Sequence, residues 1–312
     1  MGRSRAPESI YQGSRLRRPL LSVLASGRKN VRRIVALHAR YLLVVGLAVV
    51  LGLSVALPVF AAGGIEPRVV GGEPVPNGDY PFVASLGDVT DGTTAYGRHF
   101  CGASLIDHNS VLTAAHCVQG TPKRPLRITV GRTVLSSDGG QTRRVSRIVI
   151  HPRFNGVGNG YDAAVLTLNN PVGGIPAIRL AGASQDALEN PGRLATVAGW
   201  GNTIKQPPRG NNGTNYPDRM RAARVPIVSD ARARDVYGRS YVEALMVAAG
   251  REGKDTCSGD SGGPMFARQG DKRYQIGITS FGSGCAARGY PGVYTEVNAR
   301  AVRTFIVNAA GL

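Results

Sequence analysis

The run Lys254-Asp255-Thr256-Cys257-Ser258-Gly259-Asp260-Ser261-Gly262-Gly263-Pro264 sets a serine hydroxyl among glycines that let the backbone turn tightly around it. Gly259 allows two N–H groups, its own and that of Ser261, to point at one spot, the arrangement that holds a negative oxygen. A Gly-rich turn between strands is the bland alternative. A serine hydroxyl is a weak nucleophile until a positioned base takes its proton, so the chemical reading requires a histidine and an orienting carboxylate elsewhere. Two segments upstream supply them. Val111-Leu112-Thr113-Ala114-Ala115-His116-Cys117 is an apolar run ending in small residues and a histidine, and Tyr161-Asp162 opens the mostly apolar run Ala163 to Leu168. Separations of 46 residues from His116 to Asp162 and 99 on to Ser261 prove no proximity; the flanking residues carry the inference.

The three segments resemble the active-site segments of the trypsin and chymotrypsin family of serine proteases, in that family's chain order. The resemblance implies that Ser261 attacks the carbonyl, that His116 acts as general base and then general acid, and that Asp162 holds the imidazole tautomer. The N–H groups of Gly259 and Ser261 would form the oxyanion site. It places Asp255 at the base of the primary substrate pocket, where a substrate Arg or Lys can meet it shielded from water. Ser280, Gly282 and Gly292 would line that pocket, the glycines leaving it open to a long side chain. Ser280-Phe281-Gly282 departs from the family's more usual Ser-Trp-Gly, keeping an aromatic wall without the indole N–H.

Pro67-Arg68-Val69-Val70-Gly71-Gly72 resembles the family's activation site. Cleavage after Arg68 would create an amino terminus at Val69 whose ammonium pairs with Asp260, making the chain a zymogen. A carboxylate buried without a partner costs several kcal/mol, so that cut would decide whether the oxyanion site forms. Arg68 is also a residue that a pocket built on Asp255 would accept, so self-activation is expected.

Four cysteines, an even number in a chain that reads as exported, favour two disulfides among three possible pairings. The resemblance picks Cys101–Cys117 and Cys257–Cys285. It puts Ala195 with Ala267, and approximately Ala233 with Ala248, where two further bridges of the family would stand. No C-x-x-C spacing and no paired histidines at i, i+4 give a metal pattern, Leu135 to Gln141 lacks the paired acids of the family's calcium loop, and no cofactor is expected. His38, His99, His108 and His151 read as structural or solvated.

Composition sets the N-terminal arm apart. Residues 1–40 carry ten Lys or Arg against Glu8, and Tyr41 to Ala62 runs 22 residues without a charge. A signal peptide cleaved near Val59-Phe60-Ala61-Ala62 and an uncleaved membrane anchor both fit; Arg32-Arg33 also fits twin-arginine export. Residues 63–68 would be the activation peptide. Residues 69–312 form one unit large enough to bury its own core, and it carries a charge of +9 from 27 basic and 18 acidic residues.

Short β-rich runs punctuated by Gly and Pro, among them Pro81 to Leu86, Arg127 to Val134, Val145 to Ile150, Ala195 to Trp200 and Gln275 to Phe281, argue an all-β fold. The resemblance sharpens this to two six-stranded antiparallel Greek-key barrels, about 69–178 and 179–298, with Pro171 to Gly174 as the passage between them and a C-terminal helix at 299–312. Ala301, Val302, Phe305, Ile306 and Ala309 recur at helical spacing. Gln206 to Asp218 reads as a surface loop.

Arginines 219, 221, 224, 232, 234 and 239 cluster in sequence as a solvated face or a polyanion site, and no aromatic-interleaved basic motif points to nucleic acid. The expected partners are protein or peptide substrates with Arg or Lys at the cut, and proteinaceous inhibitors. The membrane would be met only through the N-terminal segment, and a secreted monomer is expected. The competing classes are a catalytically silent homologue acting by binding and a membrane-anchored interaction protein.

Overall fold

The structure, a computed structural model, describes residues 69–312. The basic arm, the apolar run and the activation peptide, residues 1–68, lie outside the described residues, as does Arg68.

After a two-residue strand β1 (Glu73–Pro74), six strands close the first barrel: β2 (Val83–Asp88), β3 (His99–Leu105), β4 (Ser110–Thr113), β5 (Leu126–Val130), β6 (Gln141–Ile150) and β7 (Ala164–Leu168). The ring runs β2-β3-β4-β7-β6-β5, so β4 pairs with β7 across the two strands between them in sequence, a Greek-key step. Alternation along the strands sends Leu86, Leu105, Leu112, Leu126, Ile128 and Leu166 fully inward. Each such side chain contributes about 1.5–3 kcal/mol on leaving water. The expected run Arg127 to Val134 stops as a strand at Val130, because Gly131 takes φ +73° and turns the chain.

The second barrel follows β8 (Arg179–Leu180) and consists of β9 (Leu194–Gly199), β10 (Arg221–Val228), β11 (Met246–Ala249), β12 (Pro264–Gln269), β13 (Lys272–Phe281) and β14 (Gly292–Glu296). Its ring β9-β10-β11-β14-β13-β12 returns to β9, with β1 added antiparallel to β10 and β8 parallel to β13. The fold is therefore the all-β pair of six-stranded antiparallel barrels. On β10, Ala223, Val225 and Ile227 are buried while Arg224 faces out. Val69, ahead of β1, is fully buried in this second core. Ala195 and Ala267 share that core, and Ala233 and Ala248 share a smaller cluster, so packed alanines stand where the family resemblance puts two further bridges.

Arg300–Ala310 is the C-terminal helix, ended by Gly311 in the left-handed region. Its apolar stripe divides. Val302 and Ile306 are buried in the cluster that contains the first-barrel core, whereas Ala301, Phe305 and Ala309 are only partly covered. No helix among the described residues is long and apolar enough to cross a membrane.

The barrels meet closely at Gly102 of β3. Its N–H donates to the Ser261 carbonyl at 2.8 Å, and a Cβ there would lie 2.8 Å from Gly263 Cα. A side chain at 102 would push the serine segment away from the first barrel.

Candidate active site

A single 3-10 turn, Ala115–Cys117, leaves β4 and presents His116. Asp162, fully buried at the entry to β7, accepts three hydrogen bonds: His116 N–H to Oδ1 at 2.9 Å, His116 Nδ1 to Oδ2 at 2.7 Å, and Ser280 Oγ–H to Oδ2 at 2.6 Å. An ionised carboxylate only accepts, so Nδ1 carries the proton and Nε2 keeps its lone pair. Ser280, expected in the pocket wall, lines the pocket and also braces Asp162.

Ser261 comes from the second barrel, in the turn before β12. Its carbonyl is held by Gly102, Thr113 Oγ1–H donates to the Gly102 carbonyl at 2.8 Å, and Gly262 N–H donates to Thr279 O at 2.8 Å. Gly262 has φ +79° and a Cβ there would strike Thr113 Oγ1, so only glycine fits. The N–H groups of Gly259 and Ser261 donate to no acceptor among the described residues. Two backbone donors left open beside a hydroxyl are the feature that distinguishes this turn from an ordinary Gly-rich one. No hydrogen bond joins Ser261 Oγ to His116 Nε2; such contacts commonly tighten only when substrate is bound.

His99, read from sequence as structural or solvated, reaches this turn. Ser85 Oγ lies 2.8 Å from His99 Nδ1, and His99 Nε2 lies 3.1 Å from the Gly259 carbonyl. A carbonyl only accepts, so Nε2 carries the proton and Ser85 donates to Nδ1. Burial pushes the imidazole down to about 4, which keeps it neutral. The partners are 160 residues apart, so local sequence carries no signal of the link.

Ser261 and Asp255 both line a cavity of about 140 Å³, with Ser280, Gly282 and Gly292 among its other walls. Asp255 is 2 % exposed; Thr256 N–H donates to its Oδ1 at 2.8 Å and Ala286 N–H to its Oδ2 at 3.1 Å. Burial outweighs these donors and pushes its carboxyl up to about 7. A Cβ at Gly292 would come within 2.7 Å of Asp255 Oδ1, which would block the approach to the carboxylate. Phe281 is braced edge-on by Tyr237, with ring centroids 5.5 Å apart.

Asp260, 2 % exposed, is not without partners: Gly201 N–H donates to it at 2.8 Å and Cys257 N–H at 3.0 Å. Burial still pushes its carboxyl up to about 6. Gly199 and Gly201, not singled out in the sequence, make room for it, since a Cβ at either would strike the carboxylate. Nearby, the Asp255 N–H donates to the Val70 carbonyl at 3.2 Å, and Val70 packs with Cys257, Cys285 and Ala286. The segment opening the catalytic unit thus buttresses the pocket floor.

Both disulfides brace these segments: Cys101–Cys117 beside His116 and Cys257–Cys285 beneath the pocket, closing spans of 16 and 28 residues. A loop of such length is worth about 3 kcal/mol in the chain-entropy model. Cys101, His116 and Cys117 bring possible ligand atoms within 4.8 Å of one another, but both sulfurs are in the disulfide, which leaves one imidazole and no ligand set.

A protein-family model described as Trypsin matches residues 69–306. The chain is 41% identical over 233 residues to a trypsin of Saccharopolyspora erythraea, covering 74% of this chain and 94% of that protein. It is 38% identical to trypsin-1 of Astacus astacus over 74% of this chain and 95% of that one. A trypsin-like protease of Streptomyces glaucescens is 36% identical, over 80% and 86% of the two chains.

Proposed function

The chain belongs to the trypsin family and is a serine endopeptidase, and on that premise we propose that it is a secreted enzyme, made as a zymogen, that cuts after Arg and Lys. The observation that carries the specificity is Asp255: a buried carboxylate lining the same cavity as Ser261. A guanidinium or ammonium entering that cavity would find its counter-charge away from water.

In this reading Ser261 Oγ attacks the carbonyl carbon while His116 Nε2 takes its proton. The oxygen of the tetrahedral intermediate draws on the open N–H groups of Gly259 and Ser261. His116 then gives the proton to the leaving amine, and water, deprotonated by the same nitrogen, hydrolyses the acyl-enzyme. Asp162 stays ionised and stabilises the imidazolium, a role favoured by its three donors. Export accords with the basic and apolar residues at the chain start and with four cysteines all in disulfides.

Amides of Arg, Lys, Phe and Leu compared on the mature enzyme test the specificity. Hydrolysis of Phe or Leu amides in preference to Arg or Lys would overturn it. Zymogen control is tested with the purified precursor: activity should rise after a lag that shortens with added mature enzyme, and the new amino terminus should read Val69-Val70-Gly71-Gly72. Arg68→Gln should stay folded and silent. A Ser261→Ala precursor cut after Arg68 in pure form would rule out self-activation and point to an upstream protease.

A further inference from the structure

Away from the substrate pocket, a trough of about 800 Å³ opens between the end of β6 with the residues that follow it and the C-terminal helix. Its lining includes Ala301, Phe305 and Ala309, the half of the helix stripe left partly exposed although Phe305 and Ala309 also pack against the core. Arg147, Arg153 and Arg300 stand exposed around it, and none forms an ion pair with a carboxylate among the described residues. Both walls come from acid-free sequence: no Asp or Glu occurs in 139–161 or in 297–312, which together hold six arginines. Arg153 donates to the neutral Tyr161 hydroxyl at 3.0 Å and keeps its charge uncompensated, whereas Arg234, among the arginines that cluster in sequence, pairs with Glu243 at 2.7 Å.

We propose that this trough docks a peptide segment in which aliphatic or aromatic side chains alternate with Asp or Glu, presented by a macromolecular partner. Charge selects that occupant. A basic rim around an apolar floor leaves acidic residues as the complement. The chain's own arm, with ten basic residues against one acid, has the wrong sign, and so has a second catalytic unit at +9. The lining is a partly exposed trough rather than a closed tunnel, which suits a peptide better than an acyl chain. Thr304 and Asn308, exposed on the outer lip, offer a hydroxyl and an amide to a peptide backbone. From Arg300 to Asn308 the lip runs about 12 Å, the span of about four extended residues.

The inner wall leads to the catalytic strand. The His151 ring centroid lies 4.7 Å from that of Phe305 and stacks on Tyr161 at 4.6 Å, and the His151 backbone N–H donates to the Ala163 carbonyl at 3.0 Å. Tyr161 and Ala163 flank Asp162, so a docked segment would pack against the wall that holds that carboxylate.

The test uses the full chain with Ser261→Ala, so that nothing is cut, and a fluorescein-labelled peptide of about twelve residues alternating Glu with Phe and Leu, without Arg or Lys. Anisotropy should show saturable binding, weakened at least about ten-fold by Arg147→Glu with Arg300→Glu, and about ten-fold weaker for a Glu and Ser peptide of equal charge. The same double substitution in the active enzyme should leave hydrolysis of a small Arg amide unchanged, which separates loss of the trough from loss of fold or of cutting. Undiminished binding to the double variant would overturn the proposal. So would equal binding of the Glu and Ser peptide, or binding of dodecanoate where the peptide fails to bind.

Discussion

The first and second barrels close on the same number of strands and differ in what they bury. Leucines, isoleucines and valines fill the first, and two imidazoles beside that core are shifted chiefly by burial: His99 is driven down to about 4 and His151 is also lowered. The second core is leaner, with alanines at 181, 195, 223, 249 and 267, and the second barrel with its loops holds carboxyls driven up by burial. Asp260 reaches about 6, Asp255 and Glu296 about 7, and Glu189 about 9, the last also raised by Glu296, Asp186 and Asp230. Burial disfavours charge in both barrels. In the first it leaves neutral bases as framework; in the second it leaves acids whose ionisation at neutral pH is costly until a cation arrives. Under the proposed function, Asp255 and Asp260 are the two positions where a cation does arrive.

The largest test is whether the barrels act as one catalytic unit. His116→Ala in the first and Ser261→Ala in the second should each lower kcat about 10⁶-fold, and the double variant should be no worse than either, because neither group works without the other. Additive losses would break the assignment. Next, Asp255→Ser should lower kcat/KM for Arg and Lys substrates about 10⁴-fold or more, since the substrate cation would be desolvated and unpaired. In the parent enzyme, affinity for an amidinium inhibitor should strengthen as pH rises through about 7 and Asp255 loses its proton; a flat profile would contradict the carboxyl's role.

A smaller effect probes the thread between the barrels. His99→Phe should lower kcat about ten-fold with KM little changed, as the Gly259 peptide loses its tether and the oxyanion donors lose alignment. A change confined to KM would show that His99 serves the pocket instead. The smallest effect is a pair of opposite pH windows in stability. The raised carboxyls give stability that is fully present below about 4 and lost as pH rises through 6 to 9. His99, lowered from 6.5, gives stability present above 6.5 and lost as pH falls toward about 4. Urea unfolding should therefore show Glu189→Gln flattening the alkaline limb alone and His99→Gln flattening the acid limb alone. Swapped or unchanged limbs would undo the comparison.

What the sequence disclosed followed from locality. The runs from Pro81, Val145, Ala195 and Gln275 fall on β2, β6, β9 and β13 because each is a short β-rich run bounded by turn residues, and the helix stripe falls on Arg300–Ala310. β10 is harder to see, since Arg221 occupies a position of its buried face and Pro226 sits within the strand. In the site, residues with distinctive neighbours, Ser261, His116, Asp162 and Asp255, could be picked out with the help of family resemblance. His99, Gly199 and Gly201 could not, because their meaning lies in partners 59 to 160 residues away or in the space a missing Cβ leaves for Asp260, and Ser85 has meaning only through its bond to His99.

The order of the strands also sets an order in time. Every strand of the first ring has been made once Leu168 is synthesised, whereas Ser261 follows 93 residues later and the second ring still needs β14. At ~5–20 residues per second that gap is about 5–20 s of synthesis. His116 and Asp162 can thus sit in a closed barrel while no nucleophile exists, and a chain still being made cannot cut itself or its neighbours. The strand that completes the second ring also begins with Gly292, so under the proposed function the substrate pocket is finished only after the nucleophile has been made.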